Sequence, residues 1–361
     1  MSAVSAVPLA MSSIRTCSIN LNHWYVVALA AEVGVRPLGV TLWQLPIAVY
    51  RDSAGQIRAI EDRCPHRQVK LSEGQVVGEN LECAYHGWQF DAQGHCAKIP
   101  YFEAEQKLPP CQLRTYPVQE KDGFIWLYPG DLDYLATHQP EPLGLPEWSH
   151  LNYIGSVAPI DCPGHFSYLI ENLMDMYHGH LHDSYQAWAS AALREIQGDG
   201  APQSGSLRDR LIVDYDAQSY YKIDHIFSIS QLFFPALRRL HVENLRVSYL
   251  YPHWVSTLGA DFKIYCLFCP VSPTQTKAYL VHFTSLEAFP KLHKLPIAFR
   301  RFLKNRLTGT AKSLLNGLIE QDVRMIAQEQ AAFNQQPDRP NVEVNPALAK
   351  VQQLIRHQAQ A

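Results

Sequence analysis

The chain has 361 residues, of which 47% are apolar and 18% charged, with a formal net charge of −3. That length suits about two domains around a sizeable core. The near-neutral balance leaves no footprint for nucleic acid, and no apolar run reaches the ~20 residues a membrane span needs. Met1 to Thr16 is small and polar and lacks the charged and apolar parts of a secretory signal, so residues 1–20 are expected to form a disordered tail. The eight cysteines, at 17, 64, 83, 96, 111, 162, 266 and 269, show no disulfide framework. Without an export signal they suit a reducing compartment; the expected location is the cytoplasm, free or peripherally attached to a membrane.

From Asn22 to about Gly130 the chain reads as short strands and turns. His23–Leu29 opens it, Leu45–Tyr50 and Ile57–Ile60 flank the Asp52-Ser53-Ala54-Gly55 turn, and Gly123–Tyr128 closes it before Pro129-Gly130. Within this stretch stand Cys64-Pro65-His66 and, after sixteen residues, Cys83-Ala84-Tyr85-His86-Gly87-Trp88. Zinc sites usually pair two cysteines in one knuckle and two histidines in the other; here each cluster supplies one of each. A [2Fe–2S] cluster with two thiolates on one iron and two imidazoles on the other needs that mixed supply. The pattern Cys-x-His-x16-Cys-x2-His followed by Gly-Trp resembles the Rieske motif, which implies Cys64, His66, Cys83 and His86 as cluster ligands. His95 and Cys96 follow a hairpin turn and read as bystanders.

Residues 131–158, with Pro140, Pro142, Pro146 and Trp148, read as a linker leading into a second domain. Pro163-Gly164 then breaks the chain before a helix that runs from His165 to His182. At ~100° per residue, Asp175, His178 and His182 fall within an arc of roughly 60°, shared by Glu171, while His180 points away. Two imidazoles and a carboxylate suit a mononuclear metal; a half-buried helix with a chance histidine pair is the alternative. Asn172-x2-Asp175-x2-His178-x3-His182 resembles the iron motif of Rieske non-heme iron oxygenases. Three residues separate the histidines where four are common, which favours the homo-oligomeric, monooxygenase-like branches. The resemblance implies a third iron ligand on a long C-terminal helix, here Ala311 to Gln330. Asp322 is the choice, with Glu320, Glu329 and Glu171 as rivals. It also implies that Asp175 does not ligate iron but hydrogen-bonds His178 and a neighbouring subunit's His86, as the electron bridge of a head-to-tail homotrimer.

The region 207–290 reads as successive strands of one antiparallel sheet with the iron helix packed on it. Phe233, Phe234, Tyr249 and Tyr251 are its candidate substrate contacts. Ala187 to Pro202 reads as a lid. Cys266 and Cys269 sit on a strand and read as core residues. A basic run with Lys291, Lys294, Arg300, Arg301 and Arg306 reads as a solvated face or as a dock for an acidic ferredoxin or an anionic membrane.

The expected fold class is α+β, with a disordered tail (1–20), an all-β Rieske [2Fe–2S] domain (21–135) and an antiparallel-sheet-and-helix catalytic domain (136–361). The resemblance implies an O2-dependent oxygenase that sends electrons from the cluster to Fe(II). It would hydroxylate or oxidatively demethylate a hydrophobic aromatic or polycyclic small molecule, served by a ferredoxin or flavin reductase. Cis-dihydroxylation of an aromatic ring is the second reading, and an electron carrier without oxygenase activity or a zinc-stabilised binding protein are readings of other classes.

Overall fold

The computed structural model describes residues 13–103, 105–185, 188–198, 209–219, 241–259, 262–288, 294–309 and 311–361. The N-terminal half contains β1 (Tyr25–Leu29), β2 (Leu38–Leu42), β3 (Leu45–Arg51), β4 (Ile57–Glu61), β5 (Gln75–Val77), β6 (Asn80–Glu82), β7 (Gln89–Phe90), β8 (Cys96–Lys98), β9 (Val118–Lys121) and β10 (Phe124–Leu127), then helix α1 (Leu132–His138). These strands form three small antiparallel sheets, ordered β1-β10-β9, β2-β3-β4 and β5-β6-β7-β8. Apolar residues at the strand centres, such as Ile47, Ala48, Val49 and Tyr50, have no exposed surface.

The C-terminal half is built on β11 (Tyr153–Cys162), α2 (Phe166–Met174), β12 (Ala189–Gly198), β13 (Arg210–Ser219), β14 (His241–Leu250), β15 (His253–Leu258), β16 (Phe262–Ser272) and β17 (Gln275–Ser285). Helices α3 (Ile297–Leu307), α4 (Lys312–Gln335) and α5 (Pro346–Gln358) follow. Its seven strands make one antiparallel sheet, ordered β11-β17-β16-β15-β14-β13-β12. One face carries α2, α4 and α5: Phe166, Ile170 and Met174 of α2, Leu315 and Ile326 of α4 and Val351 and Ile355 of α5 share a buried cluster with Val213, Tyr215 and Val247 of the sheet. On the other face Tyr265, Leu267, Val281 and Phe283 pack against Trp24, Val26, Phe124 and Trp126 of the N-terminal sheet.

The expected α+β class and single antiparallel sheet are present, with several corrections. The tail does not extend to residue 20: Ile14 and Ile19 are buried. Arg15 is buried as well, in an ion pair with Glu171 and a 2.6 Å hydrogen bond to Ser167 Oγ. The stretch 131–158 is not all linker, because it holds α1 and the start of β11. The segment expected as a lid is β12 over Ala189–Gly198, paired with β13 from Ala189↔Gln218 to Gly198↔Leu211. Its alternating burial, with Ala191, Leu193 and Ile196 inward, is the period-two pattern of a half-buried strand. Cys266 and Cys269 are buried, and burial pushes both thiols up, Cys269 to about 12. The strands expected at 220–226 and 228–234, with Phe233 and Phe234, lie outside the described residues.

The largest correction falls on the iron helix. It is not continuous from His165 to His182. Helix α2 ends at Met174, where Asp175 adopts an extended conformation (φ −100°, ψ 101°), and a 3-10 segment follows over Met176–Tyr185. Asp175 Oδ1 accepts a 3.0 Å hydrogen bond from the Tyr177 amide. The residue thus ends one helix and caps the next, a competition with regular helix that a short acidic side chain favours.

Candidate active site

Two groups of chemically competent side chains form, one in each half. In the N-terminal half, the same turn is built twice. Cys64 N donates to Val69 O and Gln68 N to Cys64 O, each at 2.8 Å; Cys83 N donates to Trp88 O at 2.8 Å and Gly87 N to Cys83 O at 3.0 Å. The fourth residue after each cysteine is left-handed, Gln68 at φ 61° and Gly87 at φ 69°. Glycine suits the second position for another reason: a Cβ there would lie 2.7 Å from Pro100 Cγ.

These turns bring the four expected ligands together. Cys64 and Cys83 are 1% and 2% exposed. Burial pushes the Cys64 thiol up to about 11. The His66 and His86 rings face one another with centroids 4.4 Å apart, and His66 stacks on Trp88 at 4.8 Å. His66 Nδ1 is buried with no hydrogen-bond partner. A pair of buried thiols beside a pair of imidazoles, one with an orphaned nitrogen, fits the two ends of a mixed-ligand [2Fe–2S] cluster. Among the other candidates, His95 is exposed and pairs with Asp91.

In the C-terminal half, His178, His182 and Asp322 place one ligand atom each within 4.8 Å of one another. Asp322 Oδ1 lies 3.7 Å from His178 Nε2 and 3.2 Å from His182 Nε2. The outer nitrogens fix the protonation pattern. His178 Nδ1 donates to the backbone carbonyl of Asp175, and His182 Nδ1 donates to Gln321 Oε1 at 2.8 Å. A carbonyl only accepts, so both protons sit on Nδ1 and both Nε2 lone pairs face the carboxylate. Three acceptors converging on one point call for a cation, and two imidazoles with one carboxylate form the facial set that suits Fe(II).

The surroundings enforce this geometry. His182 is 1% exposed by side chain and breaks the 3-10 segment at φ −102°, ψ 15°. Burial holds the His178 imidazole below its usual range despite Asp322. At His182 burial also lowers, but the Asp322 carboxylate 3.2 Å from Nε2, with Gln321, outweighs it and raises the group. Trp188 stands over both rings, 5.2 Å from His178 and 5.0 Å from His182 by centroid, and its indole N–H donates to Met176 O at 2.9 Å. Gly179 permits that approach: a Cβ there would lie 2.8 Å from Trp188 Nε1. Asn172 Nδ2 donates to Asp322 Oδ1 at 3.2 Å.

The other expected site residues are placed as follows. Glu171 is turned to Arg15 and Gln352, and Glu320 and Glu329 are exposed, so none joins the histidines. Asp175 stands next to the group, but its bond to His178 comes from the backbone carbonyl, not from the expected carboxylate. The carboxylate accepts from Tyr177 and from Asn345. Tyr251 is in the core, where its hydroxyl accepts from Asn20 N at 2.8 Å. Tyr249 is fully buried beside it, and its hydroxyl has no partner among the described residues. Sequence reasoning missed Trp188, Asn345 and Gln321, although Gln321 directly precedes the chosen aspartate.

The chain is similar to known proteins in both sequence and fold. Residues 23–117 match the Rieske [2Fe-2S] domain family. The chain is 33% identical over 352 residues to a 4beta-methylsterol monooxygenase of Methylococcus capsulatus, covering 94% of this chain and 89% of that protein. The chain belongs to the Rieske non-heme iron oxygenase family. It is also 35% identical over 192 residues to the oxygenase component of dicamba O-demethylase from Stenotrophomonas maltophilia, covering 51% of this chain and 54% of that one. A crystal structure of dicamba monooxygenase bound to 3,6-dichlorosalicylic acid shares the fold, with a TM-score of 0.72, 19% identity, and 95% and 98% coverage of the two chains. As a Rieske oxygenase, the chain is an O2-dependent oxidoreductase that carries a [2Fe–2S] cluster and a mononuclear iron and draws electrons from a donor partner. No helix among the described residues is long and apolar enough to cross a membrane.

Proposed function

We propose that Cys64, Cys83, His66 and His86 hold the cluster in an N-terminal unit of about 21–135, and that His178, His182 and Asp322 hold the iron in the remainder. The observation that carries this reading is the convergence of two bare imidazole nitrogens and one carboxylate oxygen within 4.8 Å. Iron bound there supplies O2 activation, with an electron drawn from the cluster. The chain's own residues do the rest. The Asp175 carbonyl and Gln321 orient the rings. Trp188 shields them from water on one side. Asp175, with its carboxylate beside the iron site, would hydrogen-bond a second copy's His86 in a head-to-tail trimer and so give electrons from that copy's cluster a short path to the iron. The exposure of Tyr85 and Tyr177, at 62% and 39%, on the flanks of His86 and Asp175 supports that contact.

The reaction is insertion of one oxygen atom into an apolar polycyclic substrate of the sterol class, by hydroxylation or oxidative demethylation. Similarity along almost the whole chain to a methylsterol monooxygenase supports this class. A ferredoxin with a flavin reductase is the proposed donor system. The test is oxygen uptake with both proteins present and a panel of sterols, tetrapyrroles and aromatic acids. Substrate-dependent uptake with a product gaining one oxygen or losing a methyl group is expected; a cis-diol would move the reading to ring dihydroxylation, and no uptake from protein with both sites filled would end it.

The route between copies has its own test. His86→Ala and Asp175→Asn chains, each inactive alone, regain part of the activity when reassembled together. Failure to complement would place the route within one chain.

A further inference from the structure

Between Glu287 and Glu320 the chain carries no acidic residue and seven basic ones: Lys291, Lys294, Arg300, Arg301, Lys304, Arg306 and Lys312. This stands out in a protein of net charge −3. At its centre lies α3, of which no residue is buried. Ile297, Phe299 and Phe302 are 56%, 47% and 52% exposed.

The helix is firmly hung. Arg300 donates to Asn152 Oδ1 and to Leu295 O, and Lys304 Nζ donates to the carbonyls of Trp148 at 2.6 Å and His150 at 3.0 Å. Beyond its C-terminus, Gly309 N bonds Gly155 O at 3.0 Å and Ala311 N bonds Ser156 Oγ at 3.2 Å, both on β11. Two of its cations therefore serve as anchors. At ~100° per residue the opposite arc holds Ala298, Arg301, Phe302, Asn305 and Arg306. The Arg306 guanidinium lies 5.7 Å from the Phe302 ring centroid.

We propose that α3 docks the protein on an anionic lipid bilayer. Arg301, Arg306 and Phe302 share one exposed arc with no acid among them, and Phe299 packs against Phe302 at its edge. That arrangement suits a headgroup layer, where charge meets lipid phosphate and the rings reach the acyl boundary. A second copy would set this basic arc against another, and like charges oppose that. An acidic protein would match the cations, but it would leave Phe299 and Phe302, whose rings lie 6.1 Å apart on the exposed side, without an apolar counterpart. The proposal rests on this helix alone and holds whatever the substrate.

Flotation of the full-length holoenzyme with phosphatidylcholine vesicles, with and without phosphatidylglycerol, tests it. Association with the phosphatidylglycerol vesicles is expected at low ionic strength, weakening as salt is added. With each basic residue near an anionic surface contributing about fivefold, the Arg301→Gln, Arg306→Gln double variant lowers partitioning about twenty-five-fold. Phe302→Ser lowers it with the charge unchanged. Both change exposed positions, and an unaltered cluster spectrum checks that the fold is kept. No association with phosphatidylglycerol vesicles at low salt overturns the proposal, as does undiminished association of both variants. A variant that keeps vesicle binding but changes the oligomer mass assigns the face to a second copy, and one that keeps it but raises KM for an acidic ferredoxin assigns it to the donor; either result also overturns the membrane proposal.

Discussion

Asn345 Nδ2 donates a 2.8 Å hydrogen bond to Asp175 Oδ1 and a second, of 2.9 Å, to the Tyr215 hydroxyl. Its Oδ1 accepts from the Ala347 amide at 3.1 Å and so caps α5. One side chain, 2% exposed, ties the last helix, the sheet and the break in the iron helix together. Asn345→Ala leaves Asp175 and Tyr215 short of a donor and α5 without its cap, a loss of about 2 kcal/mol. Urea unfolding reads that cost. On the proposed electron route, reoxidation of the reduced cluster in a single turnover also slows, with both metal sites still filled. An unchanged rate would mean that Asn345 only holds the fold together.

Removing the carboxylate from the iron group separates the two metal sites. Asp322→Ala leaves His178 and His182 without their shared partner, while nothing in the N-terminal turns changes. Iron per chain falls from about three to about two, with the cluster absorption intact. Iron retained at the higher ratio would require another ligand, and the buried Asn172 Oδ1, which has no partner among the described residues, would be the candidate.

The space behind the histidines is equally strict. A methyl group at Gly179 meets Trp188 Nε1 at 2.8 Å and the Trp188 carbonyl at 2.9 Å. Gly179→Ala therefore pushes the indole or the 3-10 segment aside, at about 1–3 kcal/mol. Its expected signature is weaker iron retention on chelator challenge with an unaltered cluster. Trp188→Phe, which keeps a ring but loses the bond to Met176 O, is expected to be milder.

Acid destabilises the fold through a buried imidazole. His253 accepts from Phe268 N at 3.1 Å and donates to Trp24 O at 3.0 Å, so it is neutral with its proton on Nε2. Burial lowers it from 6.5 to about 3. The unfolded chain takes up a proton below pH 6.5 and the folded one does not until near pH 3, so stability from this group is full above 6.5 and falls as the pH drops through that window. Between pH 7.5 and 5.5 the expected loss is about 1.4 kcal/mol. His253→Gln, whose amide can make both hydrogen bonds without titrating, removes that part of the acid limb in urea unfolding. An identical pH dependence in the variant would locate the sensitivity elsewhere.

How much of this was legible in the sequence depends on the range of the forces involved. The four ligands of the N-terminal group sit in short turns whose hydrogen bonds join residues four and five apart, so spacing alone carried them. That Gln68 takes the same left-handed role as Gly87 was hidden, because glutamine does not announce it. His178 and His182 were found by helical spacing, but they converge through a break that spacing could not show: Asp175 competes for the helix and ends it. Asp322 needed the family resemblance, since it lies 140 residues from His182 and only packing joins them. Trp188, Asn345 and Arg15 act across still longer loops or from segments that read as lid and tail, and composition gives no sign of them. Tyr249 and Tyr251 were chosen for being aromatic on an inner strand, which describes a core residue as well as a substrate contact.

The aromatic seam between β1 and β10 on one side and β16 and β17 on the other has a mechanical meaning. Swinging the cluster-bearing half toward the iron would bare Trp24, Trp126, Tyr265 and Phe283 to water, at about 1.5–3 kcal/mol for each large side chain. This chain has no hinge there. On the proposed route between copies, His86 then has a fixed reach, and a second molecule must be brought to it. Dilution, rather than solvent viscosity, then becomes the variable that stops turnover.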